Sequence, residues 1–129
     1  MAPDASPCDD SPVPTVLIVD DHRAFRASAR RLLELDGFEV VGEAEDGASG
    51  AALARELEPE VVLLDVALPD TSGFEVADQL RASPSKVVLV SSRDPADFGS
   101  KVAASGAAGF IPKERLTTDA IRALLDEAA

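Results

Sequence analysis

A chain of 129 residues with 46% hydrophobic side chains is the size of one domain with its own core. Its 24 acidic against 12 basic residues give a net charge of −12, a field that repels phosphate backbones and anionic lipid, so direct nucleic-acid binding is not expected. No apolar run approaches the ~20 residues that cross a bilayer, no basic-then-apolar signal pattern opens the chain, and the one cysteine, Cys8, lacks a disulfide partner; a reducing, cytoplasmic setting is expected.

Residues 1–14, rich in Pro, Ser and Asp, cannot bury enough apolar surface to offset chain entropy and read as a disordered leader, leaving one domain over 15–129. Asp9-Asp10 lies there with no strand before it and reads as a solvated pair. Beyond it, short apolar runs alternate with helical patterns, the signature of repeated βα units around a parallel sheet. Strands are predicted over 16–19, 39–41, 61–64, 87–90 and 109–111. Most are continuously apolar, as expected when helices cover both faces, and the second, flanked by Glu39 and Glu43, reads as an edge.

A first helix is predicted over 23–35, with Phe25, Ala29 and Leu32 at helical spacing and Gly37 as its stop. The second spans 48–57 and the third 74–81. The fourth, 96–104, contains Gly99 and few long apolar side chains, and so has the least intrinsic support. The fifth starts from Thr117 as N-cap, with Leu116 and Ile121 spaced as a hydrophobic staple, and runs to the C-terminus.

Right-handed crossovers bring the carboxyl ends of all parallel strands to one edge of the sheet, where open α/β folds bind ligands. The first strand ends in Asp20-Asp21, the third in Asp65, the fourth in Ser91-Ser92, and the fifth, after Pro112, in Lys113. Singly these are ordinary turn, cap and surface residues. Together they are three carboxylates that repel unless a counter-charge joins them, and carboxylate oxygens suit Mg²⁺. A metal, an ammonium and a hydroxyl around one carboxylate suit phosphoryl transfer, with Asp65 as acceptor nucleophile. Within VVLLDVALPD, residues 61–70, the apolar run buries a central strand and Pro69 shapes the turn that leaves Asp65 available. His22, beside the acidic pair, reads as a surface residue starting the first helix rather than as a metal ligand or phosphodonor.

VLIVDDH, VVLLDVALPDTSG, VLVSS and GAAGFIPK, in this order and spacing, resemble the receiver domain of two-component response regulators. DDHRAFRASARRLLELDGFEVVGEAEDG is similar in particular to receivers that precede a LuxR-type helix-turn-helix output domain. The resemblance implies a flavodoxin-like, doubly wound five-stranded parallel sheet of order 2-1-3-4-5 with helices on both faces, for which a member of this family is a standard illustration. It implies that Asp65 takes a phosphoryl group from a histidine kinase or phosphotransfer protein, while Asp21, Asp65 and the Ala67 carbonyl hold Mg²⁺ and Asp20 acts through metal-bound water. Lys113 would pair with the aspartate and then with phosphate, Ser91 would bond another phosphate oxygen, and Phe110 would follow it inward. The fourth helix, fifth strand and fifth helix would shift, signalling to a downstream protein, to an output domain beyond this chain, or to a second copy in a homodimer.

Several positions depart from the usual family pattern. Ser91 replaces threonine and loses the methyl that restricts its rotamer. Ser92 adds bulk, and Ala67 and Arg93 flank the site where attack by water is tuned. Phe110 replaces tyrosine and cannot donate a hydrogen bond, and Glu114 rather than proline follows Lys113, which removes the reason for a cis bond there.

Two other classes remain in view. A Mg²⁺-dependent phosphohydrolase with an aspartyl-phosphate intermediate also places an Asp at a strand end, but as D-x-D, and Ala67 stands where its general acid would be. A phosphorylation-independent scaffold would keep the fold without needing the acids.

Overall fold

The computed structural model describes residues 14–93 and 95–128. Apart from Pro14, the predicted leader lies outside the described residues, with Cys8 and Asp9-Asp10. Five strands and five helices alternate: β1 (Thr15–Val19), α1 (Arg23–Leu35), β2 (Glu39–Ala44), α2 (Gly47–Leu57), β3 (Val61–Asp65), α3 (Gly73–Gln79), β4 (Lys86–Ser91), α4 (Lys101–Ala104), β5 (Gly109–Pro112) and α5 (Thr118–Ala128). All strand pairings are parallel and the order is β2-β1-β3-β4-β5, with β2 at an edge as predicted.

The continuous apolar runs divide strictly by alternation. Leu17, Val19, Val62, Leu64, Val87 and Leu89 face one side, against Ala51 and Ala54 of α2 and Val76 and Ala77 of α3. Val16, Ile18, Val61, Leu63, Val88 and Val90 face the other, against Ala29 and Leu33 of α1 and Ile121 of α5. A residue such as Leu63, fully buried at the sheet's centre, should cost about 3 kcal/mol on truncation to alanine, through lost transfer energy and the cavity left behind. Chemical denaturation of Leu63→Ala checks this.

The helix ends follow local chemistry. α1 spans the predicted residues, but Leu33 rather than Leu32 completes its buried face with Ala29. It closes in a Schellman arrangement: Phe38 N–H donates to the Leu33 carbonyl at 3.0 Å and Gly37 N–H to Glu34 at 3.3 Å, with Gly37 at φ +90°. Thr117 caps α5 by accepting from Ala120 N–H at 3.0 Å, and Leu116 and Ile121 share one core cluster. Thr118, in turn, donates its hydroxyl to Asp36, tying α5 to the end of α1.

The predicted helix over 96–104 is the main correction. Pro95–Phe98 forms a 3-10 turn, and α4 itself is only four residues long. Gly99, at φ +57°, breaks the segment between them. Without a long apolar stripe, no continuous helix there has a face to bury. β2 runs three residues further than predicted, to Ala44, and α3 begins at Gly73 and ends at Gln79.

Candidate functional site

The carboxyl ends of β1 and β3 lie side by side because β1 pairs with β3 in register up to Val19 and Leu64. One residue beyond β1 and at the end of β3 stand Asp20 and Asp65, both buried. Asp21 follows in the open, and Lys113 enters from the 3-10 turn after β5.

Lys113 Nζ lies 2.7 Å from Asp20 Oδ2 and 3.4 Å from Asp65 Oδ2. It also sits over the Phe25 ring, 4.5 Å from the centroid, so α1 supplies a platform for the ammonium. The 2.7 Å approach to Asp20 lacks hydrogen-bond alignment, leaving that buried oxygen with an ion-pair partner but no hydrogen bond. Arg26 fixes the strand end from the other side, donating to the Asp20 carbonyl at 2.6 Å and to Glu43 at 3.1 Å.

Burial is the first cause that lifts the Asp65 carboxyl above its ordinary value, and the Asp20 charge adds to it; the Lys113 ammonium and the Ala67 N–H, 3.2 Å from Oδ1, oppose them. The environment thus penalises the ionised form more than water does. An acid whose folded value is raised contributes stability at low pH that is lost as pH rises through that value. Asp65→Asn should therefore be more stable than the wild type at neutral pH by about 1 kcal/mol. The difference should vanish on acidification toward the range where Asp65 itself protonates; thermal melts across pH test this.

The turn after β3 answers to the Pro69 expectation. Leu68 N–H donates to the Thr71 carbonyl at 3.2 Å, closing a tight loop around Pro69 and Asp70. Asp70 then accepts from Gly47 N–H at 2.7 Å and Ala48 N–H at 3.0 Å, capping α2 from outside; these bonds hold its carboxyl below the usual range. Ser72 caps α3, and Gly73 N–H donates to the Val66 carbonyl at 2.6 Å.

Not every predicted residue joins this centre. Ser91 is buried at the end of the neighbouring β4, where its hydroxyl accepts from Arg93 N–H at 3.0 Å. Ser92 and Arg93 are exposed. Phe110 lies below, its ring 5.6 Å from Phe98, which in turn meets Phe74 at 5.4 Å. Every peptide bond among the described residues is trans.

His22 is the residue sequence reasoning set aside. It does start α1 and is 66% exposed. Its ring nevertheless turns inward, with Nδ1 3.1 Å from Asp20 and 3.2 Å from Asp21. Among the described residues, Asp20, Asp21, His22 and Asp65 form one cluster of ligand-type atoms within 4.8 Å of one another. The buried Asp20 oxygen without a hydrogen bond and the excess of carboxylates over the single ammonium fit a small divalent cation.

The chain belongs to the response regulator receiver domain family, whose profile matches residues 16–126. Among its relatives, the response regulator GacA of Pseudomonas protegens is 39% identical over 112 residues, covering 84% of this chain and 53% of that protein. The transcription regulator BvgA of Bordetella pertussis is 39% identical over 110 residues, again 84% of this chain and 53% of that protein. The chain therefore spans about half the length of the curated relatives it matches. Among solved structures, the receiver domain of NarL from Mycobacterium tuberculosis superposes with a TM-score of 0.80 at 37% identity, covering 89% of this chain and 95% of that one. A LuxR-family response regulator from Aurantimonas gives 0.81 at 29%, over 90% and 87%. The flavodoxin-like fold and the likeness to LuxR-type receivers expected from the motifs are both borne out by these matches.

Proposed function

We propose that this receiver domain is a phosphorylation-controlled switch in which Asp65 accepts a phosphoryl group from the phosphohistidine of a histidine kinase or phosphotransfer protein. The observation that carries this reading is the position of Asp65: buried at a central strand end, with Asp20 beside it and the Lys113 ammonium 3.4 Å from its Oδ2. Asp21, Asp65 and the Ala67 carbonyl would hold Mg²⁺, with Asp20 acting through a metal-bound water. The cation would neutralise charge on the phosphoryl oxygens during in-line transfer. An Asp65 oxygen forms the new bond to phosphorus as the bond to the donor imidazole breaks. Lys113 then turns from the carboxylates to a phosphate oxygen.

Phosphorylation adds nearly two negative charges and three acceptors at the sheet edge. Ser91 would exchange its bond from Arg93 for one to the phosphoryl group, and Phe110 would follow. The short α4, separated by Gly99 from the 3-10 turn before it, suits a segment with two arrangements. The surface of α4, β5 and α5 would present the change to an output domain, a separate target or a second copy. Relatives of about twice this length carry transcription-regulator names, which favours a DNA-binding partner domain for this class.

The role is signalling rather than turnover of an external substrate, in a cytoplasmic setting; no described helix is long and apolar enough to cross a membrane. Ala67 at the second position after Asp65 disfavours a phosphohydrolase, and the buried acids disfavour a scaffold that ignores phosphate.

Incubation with Mg²⁺ and acetyl phosphate tests the proposal by intact mass. One phosphoryl adduct is expected on the wild type and none on Asp65→Ala. No adduct on the wild type would support the scaffold, and steady turnover of many phosphomonoesters the hydrolase.

A further inference from the structure

We infer that Asp70 is a positioning residue for the cation: by clasping the start of α2 it holds in place the loop after β3, on which the Ala67 carbonyl stands. The inference rests on the proposed Mg²⁺ set of Asp21, Asp65 and the Ala67 carbonyl, and adds to it a residue outside that set.

A backbone carbonyl is a different kind of ligand from a carboxylate. It has no side-chain torsion to adjust, so its place depends wholly on how the chain around it is held. Mg²⁺ demands near-ideal octahedral geometry, and a carbonyl that wanders costs it affinity.

The loop, residues 66–72, is braced at its base. Val66 N–H donates to the Val90 carbonyl at 3.0 Å, Gly73 N–H to the Val66 carbonyl at 2.6 Å, and Leu68 N–H to the Thr71 carbonyl at 3.2 Å. Ala67 pairs across the loop with Ser72 in an isolated antiparallel bridge. These bonds set the shape of the loop and join it to β3, β4 and α3. They leave its outer end, which carries Pro69 and Asp70, unfixed against the rest of the molecule.

Asp70 supplies that restraint from across the fold. The first three amides of α2 have no carbonyl one turn back to bond. Asp46 takes one of them, accepting from Ser49 N–H at 2.8 Å, and the other two go to Asp70, from Gly47 N–H at 2.7 Å and Ala48 N–H at 3.0 Å. Among the described residues, no other hydrogen bond runs from the loop's outer end to a different element. A charged acceptor at a helix N-terminus makes the stronger kind of hydrogen bond and gains from the helix dipole as well. The seat of the clasp is Gly47. A Cβ there would run into the Thr71 methyl and lie 3.1 Å from Val76 Cγ2 and 3.2 Å from Asp70 Oδ1, so the loop comes this close because the helix begins on a bare backbone.

Asp46 provides the matched control. Asp46→Ala removes the same charge and a cap from the same helix end, but leaves the clasp on the loop intact. Calorimetric titration of the full chain with Mg²⁺ should show affinity falling by roughly tenfold in Asp70→Ala, the low end of what loss of a group that orients a metal ligand costs. Asp46→Ala should keep the wild-type affinity. In the metal-free protein, hydrogen exchange at the Leu68 amide should quicken in Asp70→Ala and not in Asp46→Ala. With acetyl phosphate as donor, the Mg²⁺ concentration for half-maximal adduct formation should rise in step with the affinity loss, while the rate at saturating Mg²⁺ stays that of the wild type. Unchanged Mg²⁺ affinity in Asp70→Ala, or an equal fall in Asp46→Ala, overturns the positioning role and leaves the Mg²⁺ set standing. A wild type that binds no Mg²⁺ overturns that set, and the role with it. Amide spectra of both variants matching the wild type away from the α2 start and the loop show that the loss is not one of folding.

Discussion

Lys113→Ala should lose about 2–4 kcal/mol of stability at neutral pH, because it leaves two buried carboxylates without their ammonium. The lower figure allows for the partial exposure of the lysine. The pH dependence distinguishes this cause from lost packing. Asp65 already titrates above its ordinary value, through burial first and the Asp20 charge second, while Lys113 pulls it down. Removing Lys113 raises it further, so the deficit is greatest where Asp65 is ionised and shrinks as falling pH protonates it. Denaturation at several pH values should therefore bring variant and wild type together on the acid side. A saturating divalent cation should narrow the gap at neutral pH by replacing the missing charge. The same variant should form the Asp65 adduct roughly 10²-fold more slowly, as expected when one group that stabilises developing charge is removed.

Gly73→Ala should be comparably damaging for a different reason. An added Cβ there would lie 2.3 Å from the Asp65 carbonyl oxygen, 2.8 Å from Val66 Cα and 3.0 Å from the Asp65 carbonyl carbon. All three are backbone atoms, so no side chain can turn aside. Either α3 moves off the sheet or the end of β3 shifts, at a cost of about 2–4 kcal/mol. Gly109→Ala is the informative comparison, since its new Cβ meets only the Leu124 side chain, nearest atom 2.5 Å. Gly73→Ala should be the more destabilised of the two in urea, and it alone should disturb the amide resonances of Asp65 and Ala67.

Much of this was legible in the sequence because the sheet is central and parallel. Buried on both faces, β1, β3 and β4 must be apolar throughout, and a polar residue where such a run ends marks the sheet edge. Asp20, Asp65 and Ser91 are all of this kind. Thr117 and Gly37 carried their cap chemistry openly. The 95–104 segment was harder because Pro95, Gly99 and short side chains give no periodicity from which to divide a 3-10 turn from a four-residue helix. Leu32 and Leu33 are adjacent and chemically alike, so only the helix rotation set by packing decides which is buried.

The direction of the His22 ring was illegible for a related reason. Its sequence position, at a helix start beside two acids, describes a surface residue correctly, and the 66% exposure agrees. What the sequence does not carry is the side-chain torsion that turns Nδ1 toward Asp20 and Asp21. The Asp70 cap on α2 is likewise a contact across 23 residues with no local pattern to announce it.

Fluorine NMR with beryllofluoride, a stable stand-in for a phosphoryl group, bears most directly on the convergence of Asp20, Asp21, Asp65 and Lys113 into one phosphoryl-accepting pocket. Wild-type protein should show bound fluoride resonances only when Mg²⁺ is present, with the amide shifts changing at Ser91 and Phe110. Asp65→Ala and Asp21→Ala should show none. Bound resonances that persist without Mg²⁺ or in Asp65→Ala, or a wild type that never shows them, would contradict the proposal.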